Sequence, residues 1–445
     1  FPVSLRYSVI SKTKGFRQGA LPGEDFVEAG RDMAESEVAA KFLQDAGYDM
    51  LNCDNGTYDA WYWAHPPVYM PENCNLEYVE HIRKFVDIPV VCAGRMTVEA
   101  GAKSVAEGKI DGVGFARNFL ADPQWFTKVL EGKEADIRPC IQCHNGCFNM
   151  CHYKGVPNDQ DLSDSLHLAR CAVNAEMMQW NKHYIKKTSR PKTVHIIGGG
   201  IGGMEAARVL KLRGHNPVIH ERSSVLGGTF IPASAESYKG SLRALLAWYR
   251  HEMDRLDITV HYNDDIADVS VFAKDPVIIA TGAKARLLRK VPGYEKMVEA
   301  CDYLNGREVG KRVAVIGGGL TGCEIAYELA LKGHDPVIVE MKDDLIAQKG
   351  VCLANSSYLR EWFAWKKVPV YLETTLAAVN DGSITVKDKE GKSFEIECDS
   401  VISSAGYIPS PIAKEGGNVH LVGDCREVGN LKSAIWRAYE VAMKI

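Results

Sequence analysis

Twice in this chain an apolar strand runs straight into a glycine-rich turn and out into a helix, and that arrangement leaves few folds open. Val194 to Ile197 leads into Gly198-Gly199-Gly200-Ile201-Gly202-Gly203 and a helical stretch, Met204 to Leu212. Val313 to Ile316 leads into Gly317-Gly318-Gly319-Leu320-Thr321-Gly322, about 119 residues later. The G-x-G-x-x-G positions are Gly198, Gly200 and Gly203 in the first turn and Gly317, Gly319 and Gly322 in the second. Glycines at this spacing let the backbone turn sharply, approach a pyrophosphate and pack the helix closely on the strand, with the phosphate against the positive helix end. Each unit then ends a second strand on an acid, Glu221 after Pro217 to His220 and Glu340 after Pro336 to Val339, where a carboxylate can accept both ribose hydroxyls of an adenosine. Glu340 would repel a 2′-phosphate, so the second nucleotide is expected to be NADH, with Lys342 leaving some room for NADPH.

The region before the repeat has a different pattern. Val3 to Ser8, Asp49 to Cys53, Val90 to Ala93 and Val113 to Ala116 read as strands, separated by helices such as Val27 to Ala46 and Thr97 to Glu107. Alternating strands and helices predict parallel pairing. The last two strands run into Gly94-Arg95 and Ala116-Arg117, the phosphate positions of a (β/α)₈ barrel. Between barrel and repeat, Cys140-x2-Cys143-x3-Cys147 is followed by Cys171. Three soft ligands on a tight loop and one from farther along suit a [4Fe-4S] cluster, with zinc as the alternative; Cys151 is a spare that could replace Cys147 or Cys171. Met177 to Lys192, polar and basic, reads as a connector. The other cysteines are scattered singly and read as small buried hydrophobes.

Composition excludes several classes. A formal charge of −4 over 445 residues, with no basic block, argues against nucleic acid. No long apolar run or secretory leader is evident, so no membrane partner is expected and the chain reads as cytoplasmic.

Two glycine turns in one chain, with Ala280-Thr281-Gly282-Ala283 after one strand and Gly423-Asp424 near the end, resemble the two-dinucleotide-binding flavoproteins. That resemblance implies FAD in the first site and NAD(P)H in the second, Gly282 beside the cofactor, and Asp424 on the ribityl chain. Barrel loops, cysteine segment and glycine turns in this order resemble the 2,4-dienoyl-CoA reductase, 2-enoate reductase and trimethylamine dehydrogenase group, whose barrel belongs to the old yellow enzymes. The implied fold is α/β: residues 1–135 the C-terminal part of an FMN-binding (β/α)₈ TIM barrel, 136–192 an iron–sulfur segment and linker, then two nested Rossmann-like domains. FAD would occupy 193–300 and 409–445, and NAD(P)H 301–408.

What the resemblance implies chemically is a path from NADH through FAD, cluster and FMN to the C=C bond of an unsaturated acid, acyl-CoA or enone. Arg6 matches the flavin-contacting Arg, while Gly94, Arg95, Ala116 and Arg117 match the FMN phosphate loops. Where dienoyl-CoA reductases place a His as proton donor, this chain has Tyr58, with His65 as a competing donor, closer to the enoate reductases. The rival readings are an amine dehydrogenase and an electron-transfer module without substrate turnover. Trp61, Tyr62, Trp63 and Tyr69 hint at a flat hydrophobic substrate, and a homo-oligomer remains open. Because the chain opens at Phe1 inside a strand-like run and offers four of eight barrel strands, it reads as a fragment in which FAD binds while FMN is lost or weak.

Overall fold

The computed structural model describes residues 1–149, 169–179, 182–272, 274–348 and 350–445. Contacts divide it into two units, Phe1–Phe119 with Cys352–Lys366, and Leu120–Val351 with Lys367–Ile445.

In the first unit, β1 (Ser4–Ser8), β2 (Met50–Asp54), β3 (Val90–Ala93) and β4 (Gly112–Gly114) pair in chain order, all parallel. They are four successive strands of a barrel, as the alternating pattern predicts. Tyr7, Leu51, Cys53, Val90 and Cys92 form its core with Val79, Ile82 and Ile110. The helix expected from Val27 begins later, at Met33, because Asp32 caps it by accepting from Glu35 N at 2.9 Å. The residues before that cap are pinned elsewhere, with Ala29 N donating to Thr13 O (2.8 Å) and Arg31 N to Ser11 Oγ (2.9 Å).

The helix Leu353–Trp365, which the sequence places inside the second nucleotide domain, groups with this unit instead. Tyr62 explains the attachment: its hydroxyl donates to Glu361 Oε2 at 2.7 Å and its ring meets Tyr358 edge-on at 5.5 Å, while Tyr69 stacks on Tyr358 at 5.4 Å.

The second unit holds two five-stranded parallel sheets. The first runs Val419–Leu421, Val277–Ile279, Thr193–Ile197, Asn216–Glu221, Thr259–Tyr262, so its edge strand returns only after the whole second sheet has been made. The second runs Val298–Glu299, Ser400–Ser403, Arg312–Ile316, Asp335–Val339, Val370–Tyr371. This is the nesting expected from the repeat. Helices Ile201–Leu212 and Leu431–Lys444 share the largest core, around Met204, Tyr249, Trp436 and Tyr439. Among the described residues, no helix is long and apolar enough to cross a membrane.

Burial beside Tyr62 pushes the Glu361 carboxyl up to about 7, from an ordinary value near about 4.3. A carboxyl that holds its proton more tightly when folded stabilises the fold fully below its unfolded value, and that contribution is lost as pH rises through 7. Amide protection of residues 353–365, taken as the exchange rate relative to the intrinsic rate at each pH, is therefore expected to fall between pH 5 and 8, by up to about 3 kcal/mol of local stability, and Glu361→Gln to flatten the profile. Wild-type protection factors that do not change over this range would contradict the assignment.

Candidate functional site

The first glycine turn shows why each position is glycine. Gly198 has φ +105°, and a Cβ there would lie 2.6 Å from the carbonyl oxygen of Ala280. A Cβ on Gly203 would collide with the carbonyl of Gly198, whereas one on Gly200 would meet nothing within 4 Å. The first glycine makes the turn, the third lets helix and strand close up, and the second leaves the outer face of the turn open. Glu221 is buried at the end of its strand, where Oε2 accepts from Gly199 N at 2.7 Å and Oε1 from Ser223 N at 2.8 Å. Its carboxylate is thus held against the turn.

Gly423 and Asp424 reach the same place. A Cβ on Gly202 would sit 3.8 Å from Gly423 Cα and 3.8 Å from Ala434 O, so the turn, the late Gly-Asp pair and the start of the last helix converge. Gly423 has φ +63°, and burial raises the Asp424 carboxyl, whose Oδ1 accepts from Gly429 N. Asn430 caps the last helix in a reciprocal box with Ser433. Gly282, at φ +74°, accepts at its carbonyl from Ser410 N at 3.1 Å and follows the strand Val277–Ile279, which lies between the strands Thr193–Ile197 and Val419–Leu421.

The second turn repeats these contacts. Gly317 has φ +110° and faces the Ser404 carbonyl; a Cβ on Gly322 would collide with the Gly317 carbonyl. Glu340 Oε2 accepts from Gly318 N at 2.5 Å and Oε1 from Lys342 N at 2.8 Å, while the Lys342 side chain is exposed. One difference stands out: Gln348 Oε1 accepts from Leu320 N at 2.9 Å and lies 2.9 Å from where a Gly319 Cβ would be.

Sequence reasoning missed the buried group that joins the segment before the helix Gly240–Arg255 to the helix of the second turn. Lys239 Nζ donates to Glu236 Oε1 (2.9 Å) and Glu324 Oε2 (2.7 Å), and Glu324 lies on the helix of the second turn. Burial raises the Glu236 carboxyl against the opposing pull of Lys239. Glu324 directly follows the second turn and its Cys323, but nothing in the sequence tells that its partner is Lys239.

The loop that carries Cys140, Cys143 and Cys147 packs against the segment that carries Cys171. A Cβ on Gly146 would lie 2.6 Å from the Cys171 carbonyl carbon and 2.9 Å from its Cα, so glycine alone lets the loop lie flat on residue 171. Arg170 N donates to Gly146 O at 2.5 Å across the same contact. Arg138 reinforces it from below, its Nη1 donating to Val173 O (3.2 Å) and its guanidinium lying 4.7 Å from the Trp248 ring centre. Gln142 and His144, at φ +49° and +59°, curl the loop in the manner that turns successive N–H groups toward an anion.

Cys140, Cys143 and Cys171 rest on the main core. Burial pushes the Cys171 thiol up to about 12 and raises the Cys143 thiol well above its ordinary range, and each is raised further by the neighbouring cysteines, Cys140 and Cys147 among them. Thiols so placed repel one another as thiolates unless a positively charged centre compensates them, so this donor set fits a metal or metal–sulfur core. Among the described residues no three His, Cys, Asp or Glu side chains converge on a point that a single ion could occupy. Cys151 lies outside the described residues.

In the barrel unit Arg6 projects from β1 onto β2, donating to Asn52 Oδ1 at 2.6 Å and pairing with Asp54. Burial raises the Asp54 carboxyl to about 6 despite that pairing. Gly94, at φ +119°, touches the buried Asn75. Arg95 and Arg117 both reach the loop after β2: Arg95 Nη1 donates to Val68 O (2.7 Å) and Pro67 O (3.1 Å), and Arg117 Nη1 to Pro66 O (2.9 Å). The exposed Ala116 precedes Arg117. Tyr58 is 69% exposed and stacks at 4.7 Å on Trp61, which stacks at 6.0 Å on His65, so the two candidate donors share one aromatic pile. Trp61, Tyr62, Trp63 and Tyr69 are buried, and Trp63 Nε1 donates to Ala20 O. They serve packing.

Two families match this chain. The NADH:flavin oxidoreductase / NADH oxidase family covers residues 21–136, and the pyridine nucleotide-disulphide oxidoreductase family covers 192–426. The chain belongs to the pyridine nucleotide-disulphide oxidoreductase family.

With the barrel match ahead of it, the chain fits the 2-enoate reductase and dienoyl-CoA reductase-like group, and it carries flavin- and NADH-binding domains. A cinnamate reductase of Clostridium sporogenes is 37% identical over 100% of this chain and 66% of its own length. An NADH oxidase of Thermoanaerobacter brockii is 29% identical over 100% of this chain and 67% of its own. A solved 2-naphthoyl-CoA reductase in complex with 2-naphthoyl-CoA matches at TM-score 0.81 and 25% identity, over 94% of this chain and 64% of that one. A histamine dehydrogenase from Rhizobium sp. (TM-score 0.78, 20% identity, 99% of this chain and 65% of that one) shares the fold. The chain spans about two thirds of the length of these relatives.

The packing of Gly146 on Cys171 can be tested directly. Gly146→Ala is expected to destabilise this unit by about 1–3 kcal/mol through overpacking, read as a lower midpoint in urea followed by tryptophan fluorescence. A midpoint equal to wild type would show that the two segments do not approach as described.

Proposed function

We propose that this protein is an NADH-dependent flavin oxidoreductase that reduces the C=C bond of an α,β-unsaturated acid, acyl-CoA or enone. The observation that carries the reading is the match of the entire chain, barrel strands and both glycine turns together, to a cinnamate reductase at 37% identity. When bound, FMN and FAD would supply hydride chemistry and a [4Fe-4S] cluster single-electron transfer between the two flavins.

The chain's own residues divide that work. Gly198, Gly200 and Gly203 hold the FAD pyrophosphate, Glu221 takes its ribose hydroxyls, and Gly282, Gly423 and Asp424 line its ribityl side. Gly317, Gly319 and Gly322 hold the pyrophosphate of NADH, and Glu340 selects it over NADPH by repelling a 2′-phosphate. Cys140, Cys143, Cys147 and Cys171 ligate the cluster; one short pair plus a third and a distant cysteine departs from the paired knuckles typical of zinc. Arg6 faces the FMN ring side of the barrel and Gly94, Arg95, Ala116 and Arg117 its phosphate side, with Arg95 and Arg117 stiffening the loop after β2. Tyr58 donates the proton to the carbon beside the carbonyl, His65 being the other donor on the same stack. An amine dehydrogenase that hands electrons to a separate protein would not need Glu340 and a complete second turn.

Rapid mixing tests this reading. NADH is expected to bleach the flavin, and subsequent anaerobic addition of a simple enoate such as cinnamate to reoxidise it. Reduction without reoxidation would leave only an electron-transfer module, and no reduction by NADH would overturn the proposal. Gly317→Ala is expected to weaken NADH at least tenfold while flavin content stays unchanged, because the clash falls on the second turn alone. Tyr58→Phe is expected to slow reoxidation by enoate about 10²-fold and leave reduction by NADH unchanged; if His65→Ala has that effect instead, the donor is His65.

A further inference from the structure

The two glycine turns follow one plan, so a difference between them stands out. Past each acid a leucine side chain lies against the turn and the next N–H donates back to it. In the first unit these are Leu226, on Gly199, and Gly227 N, which donates to Gly199 O at 2.9 Å. In the second they are Leu345, on Gly318, and Ile346 N, which donates to Gly318 O at 2.7 Å. Two residues further on, the first unit has Thr229 and the second has Gln348. A Cβ on Gly200 of the first turn would meet nothing within 4 Å among the described residues. Gln348 instead reaches over the second turn: its Oε1 accepts from Leu320 N at 2.9 Å and stands 2.9 Å from where a Gly319 Cβ would be.

Leu320 N is the first N–H of the helix Leu320–Leu331, and it has no acceptor within that helix. It is the kind of group that a G-x-G-x-x-G turn offers to a pyrophosphate. The amide oxygen of Gln348 is a neutral substitute for a phosphate oxygen: it accepts the same bond and brings no charge. Gln348 is exposed and lies outside any helix or strand, so its side chain can swing away by rotation about its own bonds. We propose that Gln348 is a specificity-determining residue of the second nucleotide site, a resident acceptor on the pyrophosphate seat that a dinucleotide must displace. This deepens the reading of the second turn as an NADH site and rests on it. A ligand with a pyrophosphate replaces the lost bond with its own bonds to the turn. A fragment made of adenine and ribose alone leaves Gln348 where it is. The same bond re-forms as a bound dinucleotide departs, so Gln348 weakens retention of the nucleotide as well as its capture.

The test is calorimetric titration of FAD-loaded protein with ADP-ribose, which carries the adenosine pyrophosphate without the nicotinamide, and with adenosine. Wild type is compared with Gln348→Ala, Gln348→Asn and Gln348→Glu, with FAD content as the check on folding. Gln348→Ala is expected to bind ADP-ribose about fivefold more tightly, since one hydrogen bond no longer has to be broken. Gln348→Asn, one methylene too short for Leu320 N, is expected to match it. Gln348→Glu is expected to bind ADP-ribose roughly tenfold more weakly, because a carboxylate grips the N–H harder and repels the pyrophosphate. Adenosine is expected to bind all four alike. Gln348→Ala and Gln348→Asn proteins that bind ADP-ribose no more tightly than wild type would overturn the inference, while reduction of the flavin by NADH would leave the nucleotide reading standing. An equal gain for adenosine would also overturn it, by showing that the side chain acts away from the pyrophosphate. Wild-type protein that neither binds ADP-ribose nor is reduced by NADH would overturn the nucleotide reading itself.

Discussion

The contact on which the second unit depends is the one where the backbone of Gly146 lies on the backbone of Cys171. Without it, three cysteines on a loop and a fourth some two dozen residues later have no reason to share a space. With it, Cys143 and Cys171 stand close enough to Cys140 and Cys147 that their thiols are raised by those neighbours as well as by burial. Arg138, Arg170 and Trp436 all bond backbone atoms within two residues of this contact or at it. Each hydrogen bond contributes only about 1 kcal/mol, but together they fix the approach of two segments that carry little regular structure.

The glycine turns work by the same rule at smaller scale. At Gly198 and Gly203, and again at Gly317 and Gly322, the neighbour is a backbone carbonyl that cannot move aside. Glu221 and Glu340 each receive the N–H of the middle glycine, so the acid and the phosphate-binding turn are built as one piece. The departure is Gln348, whose amide caps the helix of the second turn where the first is open. The buried Lys239 with Glu236 and Glu324 then ties the start of the helix Gly240–Arg255 to the helix of the second turn through charge, an arrangement that is costly to break by removing one partner.

How much of this could be read in the sequence depends on the range of the interaction. The turns were legible because glycine is demanded within a few residues of strand and helix, and the barrel strands because their alternation is local. The cysteine spacing was legible as a candidate ligand set, yet Gly146, which packs on Cys171, has no signal of its own. The helix Leu353–Trp365 was misplaced by chain order: its attachment through Tyr358 and Glu361 to Tyr62 is a contact across about 300 residues, invisible to any local pattern. The aromatic run from Trp61 to Tyr69 is buried, and Trp61 stacks between Tyr58 and His65. Asn52 and Asp54, which hold Arg6, were passed over because short polar residues in a strand look like solvated positions.

Everything about the proposed electron path rests on what the four thiols bind. Metal and acid-labile sulfide analysis of anaerobically purified protein, with its visible spectrum before and after reduction, is the most direct measurement. The account predicts about four iron and four sulfide per chain, with broad absorbance under the flavin bands that bleaches on reduction. One zinc per chain without sulfide, or no metal, would contradict it.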